Sequence, residues 1–452
     1  MILAHAALIP IGHWQGDEYI EAAFAHDLGW RYLSFRLFHD SPRPLSELIL
    51  YAYYAITHRL HRPVITEFLA LMWMILLAGA FATIPRATGR PPWRVLLALS
   101  LLALFLLGHE VSELFFWPAG TAAYLVTLGA VTAAFFLRID RRATGITGGT
   151  AETIVLVLAA AASEAGAMFV LALSGLRLLA CFVDRPSASA RGILAWCMPV
   201  AMGLFALLFV LATRAGRIDV GPPSPYLLHS LASARAAVPQ LAAELAGLDA
   251  HRTDAGDVVL GLATKLSFFL GCRWCWLTLD DAPTPPPGLS ILALALLCAC
   301  LGMIAGGLYQ FGQVCCERHG ALRQCWYLLA LAGLGVASTR WRAFRPPPWL
   351  APLPLTLAIL LQLPARLPGL LHDDRLYAAT VAARAATWQS GLRTDDTEMQ
   401  YQTEPDGRVV HAMQLPTGHY MLSAHPPWYV LGMLMLFHKQ SLDLLPPRPW
   451  PP

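Results

Sequence analysis

Charged residues are scarce in this sequence. Asp, Glu, Lys and Arg make up 13% of its 452 residues, whereas apolar residues make up 56%. Soluble globular domains carry about 25% charged residues, so the composition excludes a chain of ordinary soluble domains. The formal net charge is only +3, which gives no reason to expect nucleic acid as a partner.

Several common sequence signatures are also missing. The nine cysteines show no zinc-finger spacing with histidines, and the single C-x-x-C, Cys272–Cys275, lies in an apolar run without a βαβ context. We therefore interpret this pair as buried small residues rather than as a redox site. No internal repeat or coiled-coil heptad pattern is present. No basic segment precedes the first apolar run, so a cleavable signal peptide is not expected.

Long apolar runs are abundant instead, and several approach or exceed the roughly 18 residues that cross a bilayer. They lie near residues 2–14, 64–84, 95–116, 119–137, 151–182, 192–212, 257–278, 290–310, 325–338 and 349–364. This pattern predicts an all-α polytopic membrane protein with about eleven transmembrane helices. The first run spans only thirteen residues, which is short for a crossing.

The run 151–182 is expected to form two helices rather than one. It lies between the basic segments 138–145 and 184–191, and both segments should face the cytoplasm by the positive-inside rule. A single crossing would place them on opposite sides of the membrane. A hairpin of two short helices satisfies both, and its turn then falls next to Glu164 on the external side.

The same rule divides the chain into a membrane module and an external tail. Residues 1–365 form the predicted transmembrane module, with external loops at 15–63 and 213–256. Within the first loop, residues 43–60 are apolar on one face and suit a helix lying in the membrane interface. Residues 366–452 have ordinary soluble polarity and predict a small external α+β subdomain with one helix and a few strands.

Ionisable side chains near the hydrocarbon are costly, so each is a candidate functional residue. On the expected topology, four groups lie on the external face: Asp17 with Glu18, His109 with Glu110 and Glu113, Glu164, and Lys265. A carboxylate there can act as a general base on an acceptor hydroxyl. A cation such as Lys265 can hold a departing phosphate.

Each candidate also has a structural interpretation. Asp17 and Glu18 suit the N-terminus of the following helix, Glu164 suits a polar turn, and Glu110 and Glu113 suit a helix end reaching water. Lys265 can extend its ammonium toward the surface. The neighbouring aromatic residues suit a membrane boundary and can also stack on sugar rings; they are Trp14, Tyr19, Trp117 and Tyr124.

Three features together resemble the GT-C superfamily of polytopic membrane glycosyltransferases. Asp17-Glu18-Tyr19 follows the first apolar run, as in the acidic motif of the first external loop of those enzymes. The segment "FFWPAGTAAYLVTLGAV" at 115–131 and Glu164 within "AAAASEAGAMFVLAL" resemble a largely uncharacterised bacterial branch. That branch more often has D-D-Y than D-E-Y, so the choice between Asp17 and Glu18 stays open.

The resemblance implies an inverting transferase in the bacterial inner membrane, with its active site facing the periplasm. The donor would be an undecaprenyl- or decaprenyl-phosphate sugar, with arabinofuranose among the candidates. The acceptor would be a periplasmic glycan, a lipid or a protein such as pilin. Asp17 would be the leading base and Glu18 the second. An acidic pair can also bind a divalent metal such as Mg²⁺ or Mn²⁺, but the sequence does not require a cofactor.

Two other classes of function remain open. One is a transporter or flippase of lipid-linked sugar, and the other is a noncatalytic membrane protein of polysaccharide assembly. Transporters often carry internal repeats and broken helices at mid-membrane. This chain has no repeat, and its charged candidates cluster at the expected outer face, which favours the enzyme.

Overall fold

The computed structural model describes most of the chain. The described residues are 1–39, 41–81, 92–139, 146–184, 190–214, 226–248, 255–278, 284–286, 288–314, 316–341, 346–413 and 415–447. The basic segments 138–145 and 184–191 therefore lie mostly outside the described residues.

The protein is predominantly helical. Its helices are α1 (Ile2–Ala7), α2 (Gly16–Leu28), α3 (Arg31–His39), α4 (Pro44–Leu60), α5 (Ile65–Phe81), α6 (Pro92–Leu107), α7 (Pro118–Ile139), α8 (Ile146–Ala162), α9 (Glu164–Asp184), α10 (Ala190–Arg214), α11 (Tyr226–Leu245), α12 (Ala255–Leu277), α13 (Gly288–Phe311), α14 (Glu317–Ala337), α15 (Leu353–Leu392) and α16 (Trp428–Leu436). Three short strands, β1 (Glu398–Gln402), β2 (Gly418–Met421) and β3 (Ser441–Leu445), form the sheet.

Four described helices are long and apolar enough to cross a membrane, namely α7, α12, α13 and α15. Shorter apolar helices cover Ile65–Phe81, Val95–Leu107, Gly149–Ala162 and Cys197–Val210. These lengths and compositions agree with a helical membrane protein.

The first apolar run does not form a membrane helix, so that prediction is wrong. Helix α1 has six residues and is followed by a 3-10 turn over Ile9–Ile11. Pro10 lies in that turn, where its missing N–H and its ring prevent an α-helix from continuing. A helix of this length is far below the roughly 20 residues needed for a crossing.

The chain forms two compact units. The first comprises Met1–Trp73, Val111–Ala122 and Ala365–Pro452, and the second comprises Met74–Glu110 and Ala123–Pro364. The C-terminal segment, expected as a separate subdomain from residue 366, shares its unit with the N-terminal residues. Helix α15 runs without interruption through residue 365.

In the first unit, helices α2, α3 and α4 are held together by a buried charge cluster. Arg36 lies 2.8 Å from the Glu21 carboxylate and 2.9 Å from that of Glu47. Tyr54 donates a 3.1 Å hydrogen bond to the same Glu21 carboxylate. Residues 15–63, expected to form an external loop, are thus largely helical, and the predicted helix over 43–60 corresponds to α4.

The C-terminal residues of the first unit form the expected mixture of helix and strand. The strand order is β1-β3-β2, with β1 and β3 parallel and β2 and β3 antiparallel. Helix α16 packs on α2, where Gly432 is needed because a Cβ would lie 2.7 Å from the Ile20 nitrogen.

In the second unit, the run 151–182 divides into two packed helices, α8 and α9, which confirms the expected break. Ser163 lies between them, and its Oγ accepts the Gly166 N–H at 3.1 Å. A Cβ on Gly166 would lie 1.9 Å from the Ala159 carbonyl oxygen. The close approach of the two helices therefore requires glycine there.

The expected external loop 213–256 contains helix α11, which packs on α13. Residues 215–225 and 249–254 of this loop lie outside the described part. At the end of α11, Glu244 accepts two hydrogen bonds of 2.9 Å from Arg323. Both side chains are buried, so this pair fixes α11 to α14.

Candidate active site in the first unit

Helix α2 begins with the acidic pair, and the two carboxylates have different surroundings. Glu18 is fully buried. One of its oxygens accepts the Gln15 N–H at 2.6 Å, and the other accepts the Ala119 N–H at 3.2 Å. Glu18 therefore caps its own helix and joins it to the segment after Trp117.

Burial raises the pKa of Glu18 well above its ordinary value, because the charged form loses its hydration. The Trp117 indole and the two backbone N–H groups oppose that shift. Both oxygens are engaged, so Glu18 acts in positioning the start of α2 and is poorly placed to take a proton from a substrate.

Asp17, in contrast, is exposed. It lies in the first turn of α2, where the helix dipole favours a negative charge. Its charge contributes to raising the pKa of Glu21, one turn further along the helix. Of the two adjacent carboxylates, Asp17 is the one that an acceptor molecule can reach.

The aromatic residues predicted at a membrane boundary lie in the protein interior. Trp14, Tyr19 and Trp117 are each 4% exposed. The Trp14 ring packs edge-to-face against Tyr19 at 5.0 Å and against Trp388 at 5.5 Å. The burial of these rings within the protein does not fit a membrane-boundary position.

Arg384 fixes the chain segment that precedes α2. Its guanidinium donates to the carbonyl oxygens of Pro10 and Gly12 at 3.1 and 2.5 Å and pairs with Glu404 at 3.3 Å. Burial and this nearby positive charge lower the pKa of His13 to about 3. The His13 ring is therefore neutral at physiological pH.

A cavity of about 260 Å³ in the first unit is lined in part by Ala22 of α2. Its aromatic and aliphatic lining includes Ala22, Tyr54, Trp388, Leu436 and Phe437, and its polar lining includes His58, His61, Arg393, Asp396, His438 and Lys439. We call it the basic cavity. Concave sites with apolar walls and a few convergent polar groups are typical of small-molecule binding.

Histidines gather at the basic cavity. The rings of His26 and His58 lie with centroids 3.8 Å apart and are tilted by 31°, and those of His58 and His61 lie 5.9 Å apart. Partial burial and the neighbouring histidines lower the pKa of His58. A bound anion would favour the protonated form of His58.

Lys439 adds a buried positive charge to the basic cavity. Its side chain is 3% exposed, and its ammonium donates to the backbone carbonyls of Arg393 and Asp396. Within the described part of the chain, Lys439 has no carboxylate partner in an ion pair. A buried cation without a counter-charge is costly, so the basic cavity is suited to a negatively charged group.

The remaining predicted site residues have other positions. Glu113 is half-buried in a π-helical turn of the first unit, Ser112–Phe116. Four belong to the second unit: Glu110, Tyr124, Glu164 and Lys265.

Within that unit, Tyr124 is buried and hydrogen-bonds His319 at 2.8 Å, and Glu164 starts α9. The Lys265 ammonium donates to the carbonyls of Glu244 and Leu245. Lys265 thus caps the C-terminus of α11, where the helix dipole favours a cation. The same ammonium lies 5.7 Å from the centre of the Tyr327 ring.

Sequence reasoning missed the basic cavity. The only local signal was Lys439, one of two lysines in the chain. Its lining histidines come from α4, from the residue that follows α4 and from the turn after α16, and only the fold brings them together. Among the described residues, Asp17 and Glu18 do not belong to a cluster of three metal-ligating side chains.

No protein-family model, curated protein or solved structure matches the chain.

Proposed function

We propose that the protein is a membrane glycosyltransferase that uses a polyprenyl-phosphate sugar, with Asp17 as general base. In this proposal about ten membrane helices, the predicted set without the run 2–14, hold the protein in the bacterial inner membrane, and the first unit faces the periplasm. The acceptor is an envelope glycan, a lipid or a protein. The resemblance of the D-E-Y segment, residues 115–131 and Glu164 to GT-C enzymes supports this choice.

The observation that most supports the proposal is the basic cavity. Aromatic rings suit a sugar, and the side chains of Arg393, His58 and His438 suit a phosphate. The buried Lys439 supplies a positive charge that a phosphate would balance. A flippase would also need a site for the same headgroup, so binding alone does not distinguish the two functions.

The proposed reaction needs a base and a stabilised leaving group. The acceptor oxygen attacks the anomeric carbon, the bond between that carbon and the phosphate oxygen breaks, and polyprenyl phosphate leaves. Asp17 takes the proton of the acceptor hydroxyl. Cationic groups of the basic cavity stabilise the charge of the departing phosphate. The anomeric configuration is inverted, as the GT-C resemblance implies.

The test is sugar transfer by the purified chain in liposomes. The probes are decaprenyl-phosphoarabinofuranose and undecaprenyl-phosphate hexoses, with envelope extracts as acceptors and release of polyprenyl phosphate as the readout. Asp17→Asn should lower the rate about a hundredfold or more while keeping donor binding. Asp27→Asn is the matched control, because Asp27 is an exposed carboxylate on the same helix, and it should leave the rate unchanged.

Two results would contradict the proposal. Normal transfer by Asp17→Asn would exclude Asp17 as the base. Movement of intact lipid-linked sugar across the liposome membrane, without release of polyprenyl phosphate, would identify a flippase instead. Arg393→Gln should weaken donor binding, whereas Asp17→Asn should keep it. The two variants together therefore separate the role of the basic cavity from that of Asp17.

A further inference from the structure

The three-stranded sheet of the first unit presents a group of polar side chains on one face. Alternation along β1 and β3 buries Met399, Leu442 and Leu444 and turns Glu398 and Asp443 to the opposite face. In the sheet register, His419 of β2 lies directly opposite Asp443 of β3. Each strand thus contributes one titratable residue.

The three side chains converge within the range of a shared ion. His419 Nδ1 lies 2.7 Å from Asp443 Oδ1 and 3.7 Å from Glu398 Oε1, and the three ligand atoms all lie within 4.8 Å of one another. Ligands about 2.1 Å from a tetrahedral zinc ion lie about 3.4 Å apart. The observed separations lie on either side of that value, so side-chain rotations suffice to reach it.

The charges at this group are unequal. Two carboxylates face one imidazole, and across the described residues neither carboxylate forms an ion pair with lysine or arginine. A proton on His419 Nδ1 can serve one carboxylate at a time, and the shorter contact is to Asp443. A divalent cation would balance the charge of both carboxylates at once.

We propose that Glu398, His419 and Asp443 bind a divalent transition-metal ion, for which Zn²⁺ is the probe. An imidazole nitrogen with carboxylate oxygens suits zinc better than magnesium, which prefers oxygen ligands and retains its water. Binding displaces the proton of His419 Nδ1 to solvent, the metal takes its place, and water completes the coordination. The ion links three strands whose residues are separated along the chain, so it stabilises the C-terminal part of the first unit.

The test uses the full chain in detergent, freed of metal by a chelator. Titration calorimetry should show saturable Zn²⁺ binding that Mg²⁺ does not compete away, and Zn²⁺ should raise the melting temperature. His419→Gln and Asp443→Asn should each lose this binding and the shift, while keeping the wild-type melting temperature without metal. His425→Asn is the matched control, because His425 is exposed, adopts a left-handed φ of 51° and tolerates Asn.

Other sites on the chain could also take up zinc, and the experiment separates them. X-ray absorption of the zinc complex should show nitrogen and oxygen ligands at about 2.0–2.1 Å, whereas cysteine would give sulfur at about 2.3 Å. Sulfur ligation would overturn the proposal. So would loss of binding in His58→Gln with unchanged binding in His419→Gln, or the absence of saturable Zn²⁺ binding by the wild-type chain.

Discussion

Each unit of the molecule buries an arginine, but the two arginines have different partners. In the second unit, Arg323 faces a single carboxylate, Glu244, through two hydrogen bonds of 2.9 Å. In the first unit, Arg36 faces the two carboxylates of Glu21 and Glu47. One cluster has equal charges, whereas the other has a negative charge in excess.

The excess negative charge around Arg36 affects the protonation of Glu21. Burial is the main reason why the pKa of Glu21 is raised to about 7, and Glu47 and Asp17 add to it while Arg36 opposes it. Groups that titrate near neutral pH are enriched at functional sites. Glu21 lies on α2 one turn from Asp17, and Tyr54 both hydrogen-bonds Glu21 and lines the basic cavity. In the second unit, the equal charges of Arg323 and Glu244 join two helices. In the first unit, the cluster of Arg36, Glu21 and Glu47 carries an excess negative charge and borders the proposed site.

The largest expected effect comes from breaking the balanced pair. Arg323→Leu leaves the Glu244 carboxylate buried without its counter-charge, which should cost about 3–5 kcal/mol of stability. The melting temperature in detergent measures this loss. The double variant Glu244→Leu with Arg323→Leu should recover most of it, because an apolar pair carries no uncompensated charge. If the double variant were as unstable as Arg323→Leu, the loss of stability would come from packing and not from the uncompensated charge.

A smaller and pH-dependent effect is expected from Arg36→Leu. Two carboxylates then face each other, and the loss should be about 2–3 kcal/mol at pH 8. At pH 5.5 the loss should be smaller, because the raised pKa of Glu21 lets its carboxylate take up a proton on folding. Melting temperatures at the two pH values test this dependence. An equal loss at both would show that the protonation of Glu21 does not contribute.

Local sequence patterns predicted much of the helical framework. The basic flanks predicted the break between α8 and α9. Apolar periodicity predicted helix α4 and the helix and strands of the C-terminal segment. The prediction of a membrane helix over residues 2–14 was wrong because mean hydropathy takes no account of Pro10, whose ring and missing N–H stop an α-helix.

The candidate site was less predictable, because its contacts join distant parts of the chain. Glu18 reaches the Ala119 N–H, 101 residues away, and this contact separates its role from that of Asp17. Lys265 was expected to bind phosphate, but its ammonium bonds to the end of α11. Composition and spacing identify which side chains are costly to bury, whereas only the tertiary fold identifies their partners.

The sharpest test of the comparison comes from Glu21→Gln. A carboxylate whose pKa is raised to about 7 in the folded state binds more protons there than in the unfolded chain. The wild-type protein should therefore lose stability as the pH rises from about 4.5 to 7.

The amide of Gln resembles the protonated carboxyl group and does not titrate. Glu21→Gln should therefore match the wild type at about pH 4, where both chains are uncharged at this position, and exceed its melting temperature at pH 8. Asp27→Asn, an exposed change on the same helix, should shift neither value. If Glu21→Gln lowered the melting temperature more at pH 8 than at the lower pH, the ionised form of Glu21 would be the stabilising one. The cluster around Arg36 would then be an anchor of the same kind as the pair of Arg323 and Glu244.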